Sequence, residues 1–198
     1  STIARICHLR HFHYMIVIMY ASFIEALLAL SGNRRALPSG GYLFHQGDPV
    51  RRVFIVESGS VQLVRHQRDG MPIVVQRATQ NSILAEASVY AEAYHCDAIA
   101  DAPSHVFDLS QAAFVAHLRQ NPDASHAWAA HLARAVQSAR HRGEILARRT
   151  VTERLDGWLD WHDNELPDKG QWKGVAEQIG VSPEALYREL AKRRNNLL

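Results

Sequence analysis

Cysteine is nearly absent from this chain. Its 198 residues include two, Cys7 and Cys96, too few for a disulfide framework, and a reducing compartment fits. An excess of one charge is missing too. Lys and Arg number 22 against 20 Asp and Glu, a formal net charge of +2, so any grip on nucleic acid must come from local rather than bulk charge. No apolar run is long enough for a bilayer. Tyr14 to Leu30 comes nearest, but Ser22 and Glu25 interrupt it and it falls short of the roughly 18–20 residues a span requires. It has no small-residue cleavage site, and it reads as a buried helix followed by a short amphipathic one, with no membrane role. Enzyme signatures are lacking as well. There is no Ser/His/Asp arrangement on an elbow and no G-x-x-x-x-G-K phosphate loop. Glu86 and Asp97 could be drawn as a carboxylate pair, but no His-x-His followed by Glu accompanies them on the strands. The chain is not read as an enzyme.

What is present is informative at the C-terminal end. In Gln171–Lys192, Val175, Ala176 and Ile179 supply one apolar face. Gly180 can end that helix at positive φ. Val181 plugs a turn, Ser182 is an N-cap and Pro183 sits at the first position of a second helix. Leu186 and Leu190 then face inward, while Glu184, Tyr187, Arg188 and Lys192 point out. This is a helix-turn-helix pattern whose second helix has the chemistry to enter a DNA major groove.

Upstream, the periodicity divides the chain. From Leu37 to Leu109 short apolar runs recur about every ten residues: Val53–Val56, Val61–Val64, Ile73–Val75, Ala98–Ala100 and Val106–Leu109. Gly59 and the Asp69-Gly70 hairpin signal punctuate them, and even spacing of short strands suggests a sandwich or barrel. From Ser110 the period is helical. A helix starts at Pro122-Asp123 and continues to about Arg149. Along it Trp128, Leu132, Ala135, Ala139 and Leu146 recur at spacings of four and three, with Arg142 intervening, as in a coiled-coil dimer seam. His126, His131 and His141 on this helix read as solvated. A further helix covers Thr150 to Trp161, with Leu155, Trp158 and Leu159 inward.

Three segments carry a resemblance. Gly41-Tyr42-Leu43-Phe44-His45-Gln46-Gly47-Asp48 resembles the motif G-x-x-[LI]-F-x-x-G-[DE]. Phe54 to Val61 looks like the strand–Gly–strand hairpin that follows it, and Val181 to Arg188 looks like a DNA-reading helix. In this order, over residues 37–194, they resemble the CRP/FNR family of bacterial transcription regulators. The resemblance implies an α+β fold: an N-terminal β-roll (a double-stranded, cyclic-nucleotide-binding-like jelly roll), a long dimerisation helix, and a C-terminal helix-turn-helix of winged-helix type with the wing absent or truncated. The implied domains are an N-terminal helical segment 1–36, the β-roll sensor 37–121, the dimerisation helix 122–149 and the DNA-binding domain 150–198. The implied partners are double-stranded DNA at an inverted repeat, a second copy of the chain, and RNA polymerase. The implied location is the cytoplasm.

The departures from the family pattern bear on the effector. Nucleotide-binding members carry Gly-Glu and, about ten residues on, Arg-Ser/Thr. Here Ala85-Glu86 holds the first place and Cys96-Asp97 the second. Losing the arginine removes a charge-assisted bond to a cyclic phosphate, so cyclic-nucleotide control is not expected. The implied effector pocket is Glu86, Ser88, His95, Cys96 and Asp97. Cys96 reads as redox switch, metal ligand or core residue, and His95 would lower its pKa. Cys7, His8, His11 and His13, followed by Met15 and Met19, are ligand types suited to haem or a transition metal. One cysteine there cannot hold an iron–sulfur cluster. The implied DNA contacts are Ser182, Glu184, Tyr187, Arg188, Lys192, Arg193 and Arg194, with Pro183 standing where many members have arginine. The competing expectation is a sensor or interaction protein with a degenerate helix-turn-helix.

Overall fold

The computed structural model describes residues 18–68 and 70–195, so the Cys7, His8, His11 and His13 cluster lies outside the described residues. The chain forms two compact units, residues 1–132 and 133–198, whose boundary falls inside one long helix.

In the first unit a helix over 18–28 (α1) precedes eight strands: β1 Gly32–Leu37, β2 Tyr42–Phe44, β3 Arg52–Ser58, β4 Val61–His66, β5 Pro72–Ala78, β6 Ile83–Leu84, β7 Asp97–Ala100 and β8 Ser104–Ser110. They form two four-stranded sheets, ordered β1-β8-β3-β6 and β2-β7-β4-β5, with antiparallel pairing. Alternation along β3 explains its unbroken apolar run. Phe54 and Val56 join one core with Phe44, Val61, Leu63 and Ala98. Val53 and Ile55 join a second with Phe23, Leu27, Phe107, Leu109 and Phe114. A strand buried on both faces has no polar positions to show. Gly59, at φ +85°, turns β3 into β4 where a Cβ would collide with the Pro103 carbonyl and the Ser104 hydroxyl.

Strand β1 lies ahead of the apolar runs, which the sequence shows only from Leu37 on. Its residues are exposed, except the half-buried Leu37, so it shows no apolar alternation. Its pairing with β8 alone defines it. One side chain in this sheet was not anticipated. Asp108 is fully buried, on the face of β8 that Val106 also occupies, and pairs with Arg35 Nε at 2.7 Å and Arg52 at 2.5 Å. Asn33 donates to it at 3.3 Å.

Helix α2 covers Gln111–Gln120, with the Ser110 hydroxyl accepting from the Ala113 N–H, and α3 covers Pro122–Ala147. Two residues of the seam expected on α3, Trp128 and Leu132, pack inward instead, while Ala139 and Leu146 are exposed. Trp128 is buried in the first unit's own core, edge-on to Phe114 at 5.0 Å and tilted against Phe23 at 6.4 Å. Leu132 packs against the same cluster. Two histidines read as solvated are engaged instead. His131 stacks on Tyr20 and on Trp128; His141 stacks on Trp161 at 4.4 Å and meets the Gly157 carbonyl at 3.1 Å. An aromatic neighbour on a different element leaves no trace in helix periodicity.

The second unit adds α4 Val151–Trp161, α5 Trp172–Gln178 and α6 Pro183–Asn195. Its core is Ile145, Leu155, Trp158, Val175, Ala176, Ile179 and Leu186. Thr150 and Glu153 close a reciprocal capping box at the start of α4.

Candidate nucleic-acid interface and sensor segment

The turn between α5 and α6 is built by backbone hydrogen bonds. The Val181 N–H donates to the Ala176 carbonyl at 3.0 Å and the Gly180 N–H to Glu177 at 3.3 Å, with Gly180 at φ +65°, which is a Schellman ending. A Cβ at 180 would lie 2.5 Å from Leu146 Cδ2. Leu146, expected on a dimer seam, thus touches this turn with one methyl while remaining 39 % exposed. The Ser182 hydroxyl then accepts from the Ala185 N–H at 3.2 Å, and α6 begins at Pro183.

Two arginines that sequence reasoning missed or misplaced hold the motif together. Arg154 spreads its guanidinium over helix-end carbonyls, reaching Leu146 at 3.1 Å, Arg148 at 2.9 Å, Ile179 at 3.3 Å and Gly180 at 3.0 Å. It thus binds the ends of α3 and α5, where unpaired carbonyls and the helix dipoles favour a cation. Arg193, expected on DNA phosphates, is turned inward. It pairs with Asp156 at 2.7 Å and Glu189 at 2.9 Å and donates to the Thr152 carbonyl at 3.1 Å. It fastens α6 to α4. Its neighbours Lys192 and Arg194 remain exposed, as do Ser182, Glu184, Tyr187 and Arg188. A lysine–arginine run gives no sequence cue as to which member turns inward.

The exposed set is not one continuous patch. Glu184, Arg188 and Lys192 follow at i, i+4, i+8 and form one stripe, while Tyr187 and Arg194 lie on its flank. The Glu184 carboxyl is held below the usual carboxylate range by its own backbone N–H and the Ser182 hydroxyl. It stays an acceptor at neutral pH, beside the Arg188 donor.

In the β-roll, the expected effector residues divide. Ala85 adopts φ +54° in front of a 3-10 turn at Glu86–Ser88, a left-handed conformation that glycine takes without strain and alanine does not. Glu86 accepts from Gln76 Nε2 at 2.9 Å, and Ser88 is buried. Cys96 is buried, 8 % exposed, in the core between the sheets. Burial pushes its thiol pKa up, against a smaller opposing effect of Arg65. The cation beside the thiol is thus Arg65 of β4, which also donates to the His95 carbonyl at 3.4 Å. His95 does not activate the thiol as expected: burial moves its pKa in the opposite direction. Asp97 serves as a clamp. It accepts the Gln46 N–H at 2.8 Å and stands 3.5 Å from His45 Nδ1 and 3.3 Å from His66 Nδ1. Tyr94 fills the adjacent core, its ring 3.7 Å from that of Phe44 and its hydroxyl donating to the Arg52 carbonyl at 2.7 Å. Burial raises that phenol to about 12. Among the described residues, no group of three His, Cys, Asp or Glu is arranged to hold a metal ion, and no helix is long and apolar enough to cross a membrane.

Comparison with known proteins agrees with this architecture. Residues 34–121 match the family described as the cyclic nucleotide-binding domain. The cAMP-activated global transcriptional regulator CRP of Pasteurella multocida is 27% identical over 164 residues, covering 77% of this chain and 78% of that one. FixK2 from Bradyrhizobium japonicum has the same fold, with TM-score 0.68 at 16% identity over 84% of this chain and 86% of the other. The c-di-GMP responsive global regulator CLP of Xanthomonas campestris aligns with TM-score 0.63 at 23% identity, over 90% and 93%. Residues 34–121 thus match the cyclic nucleotide-binding domain, and the chain as a whole is similar in sequence to a CRP regulator and shares the fold of FixK2 and CLP.

Proposed function

We propose that this chain is a homodimeric, DNA-binding transcription regulator whose α6 reads the major groove at an inverted-repeat site. The observation that carries the reading is the exposed Glu184–Arg188–Lys192 stripe on a helix capped by Ser182 and seated by a helix-turn-helix core. Glu184 can accept from a cytosine amino group and Arg188 can pair with guanine. Lys192 suits a phosphate, which positions rather than specifies.

The dimer seam we infer lies one residue along from the one the spacing suggested. Ala129, Ala133, Val136, Arg140 and Gly143 on α3 are all exposed, at spacings of four and three. Val136 is 48 % exposed. Val136→Asp should leave a monomer in sedimentation.

A cyclic nucleotide does not fit the sensor segment. Cys96 and Asp97 supply no cation for a cyclic phosphate, the nearby Arg65 is engaged by the His95 carbonyl and the Cys96 thiol, Asp97 is committed between two histidines, and Glu86 is bound to Gln76. Calorimetric titration with cyclic AMP and cyclic GMP should show no micromolar binding. The reading of the DNA helix is tested by selection from random duplexes at low salt. An enriched palindrome with half-sites about one helical turn apart is expected, and its absence overturns the reading.

A further inference from the structure

Helix α6 exposes a second stripe. Exposed Tyr187, Ala191 and Arg194 and half-buried Leu190 are centred about 110° around the helix from the mean direction of Glu184, Arg188 and Lys192. They form one wall of a groove whose other wall is Leu166, Lys169 and Trp172, enclosing about 640 Å³. That is within the range of about 300–1,000 Å³ typical of binding sites. Its sides are apolar and aromatic: the Trp172 and Tyr187 rings stand 5.7 Å apart at 43°, Leu166 is 36 % and Tyr187 39 % exposed. The Trp172 indole N–H is already donated to the Pro167 carbonyl at 2.9 Å. Among the described residues that line the groove, the charged ones are Lys169 and Arg194, both cationic, with no carboxylate. A DNA phosphate would answer the cations but would leave Leu166, Trp172 and Leu190 against a charged backbone. A segment with apolar anchors and acidic flanks answers both.

We propose that this groove docks an acidic amphipathic peptide segment of a partner protein, its leucine or phenylalanine anchors between Trp172, Tyr187 and Leu190 and its carboxylates against Lys169 and Arg194. Helix-in-groove recognition of this kind reads anchors at i, i+3, i+4 and i+7. Because the groove is turned away from the Glu184–Arg188 stripe, the partner and DNA can be held together.

The test uses the full chain and a fluorescent peptide of about four helical turns, with Leu and Phe at the anchor positions and Glu elsewhere, against the same peptide with Lys for Glu. The acidic peptide should bind at least about tenfold tighter by anisotropy, a difference of about 1.4 kcal/mol. Leu166→Glu and Lys169→Glu lie off α6. Each should weaken acidic-peptide binding about tenfold while leaving the thermal midpoint and duplex affinity unchanged. Equal binding of the two peptides, or binding indifferent to both variants, overturns the proposal. So does a fall in duplex affinity that parallels the loss of peptide, which would make the groove a DNA contact. Tighter peptide binding by a chain ending at Asn195 would make the last residues the natural occupant, and concentration-dependent self-association that Leu166→Glu abolishes would make it a second copy; either result overturns it. Peptide binding is measured without DNA, so its failure leaves the DNA-reading proposal standing, and the reverse holds.

Discussion

Trp128→Ala separates the two roles that this residue can be given. As a seam residue it would be covered by a second chain; in the structure it is 5 % exposed within its own unit, against Phe23, Phe114 and His131. Burying a tryptophan removes roughly 150–250 Å² from water. At about 25 cal/mol per Å² that corresponds to about 4–6 kcal/mol, an upper bound because the unfolded chain already buries part of it. Measured Trp or Phe to Ala changes in cores cost about 3–5 kcal/mol. One feature pulls the value down: the Trp128 indole N–H is buried and finds no acceptor among the described residues, a cost of about 1–3 kcal/mol that the mutation relieves. The expected loss is therefore about 3 kcal/mol, and Trp128→Phe, which keeps most of the ring volume and removes the orphan N–H, should cost under about 1.5 kcal/mol. The assay is urea unfolding followed by circular dichroism across a wide range of protein concentrations. The Trp128→Ala loss should be independent of concentration, whereas Val136→Asp should change only the concentration-dependent part. If Trp128→Ala instead leaves unfolding of the first unit intact and converts a dimer to monomers, the assignment of Trp128 to the intramolecular core is refuted.

Arg188→Ala should weaken specific DNA binding by about 1–3 kcal/mol and relax one base position, while Lys192→Ala should lower affinity for all sequences and reduce the salt slope; titrations at several salt concentrations distinguish them. Asp108→Ala leaves Arg35 and Arg52 facing each other across a buried site and should cost about 3 kcal/mol, at the low end for a broken buried pair because both arginines can rehydrate; thermal denaturation reads it. At the start of α4, the Thr150 backbone N–H and hydroxyl hold the Glu153 carboxyl below its usual range. A depressed folded-state pKa means that the contribution is present above the ordinary carboxylate range and lost as pH falls through the lower folded value. Glu153→Gln should therefore narrow the stability gap to the parent as pH drops below about 4, and Thr150→Ala should cost about 1 kcal/mol at neutral pH. A gap independent of pH would remove the capping explanation.

The sequence was sufficient wherever local chemistry decides structure. Gly180, Ser182 and Pro183 mark the helix-turn-helix because a positive φ, an N-cap oxygen and a ring-locked φ are properties of single residues, and the structure shows all three in those roles. The β-roll strands with apolar runs were legible for the same reason, and so was the likeness of residues 34–121 to the cyclic nucleotide-binding domain, through glycine-anchored turns at fixed spacing. The sequence also excluded a disulfide scaffold by its two cysteines. Tertiary structure decided everything that depends on what lies opposite a residue. Strand β1 has no signature of its own and is defined by β8. The α3 heptad is ambiguous by one residue, about 100° of rotation, and only α1 and α2 packing on Trp128 chooses the face that remains exposed. Arg193 faces α4 and Arg194 the groove because Asp156 and Thr152 stand on one side of α6 and not the other. Cys96 takes its raised pKa from burial and its cation from Arg65, a residue on another strand. Periodicity records which residues avoid water; the partner that covers each of them is a property of the packed chain.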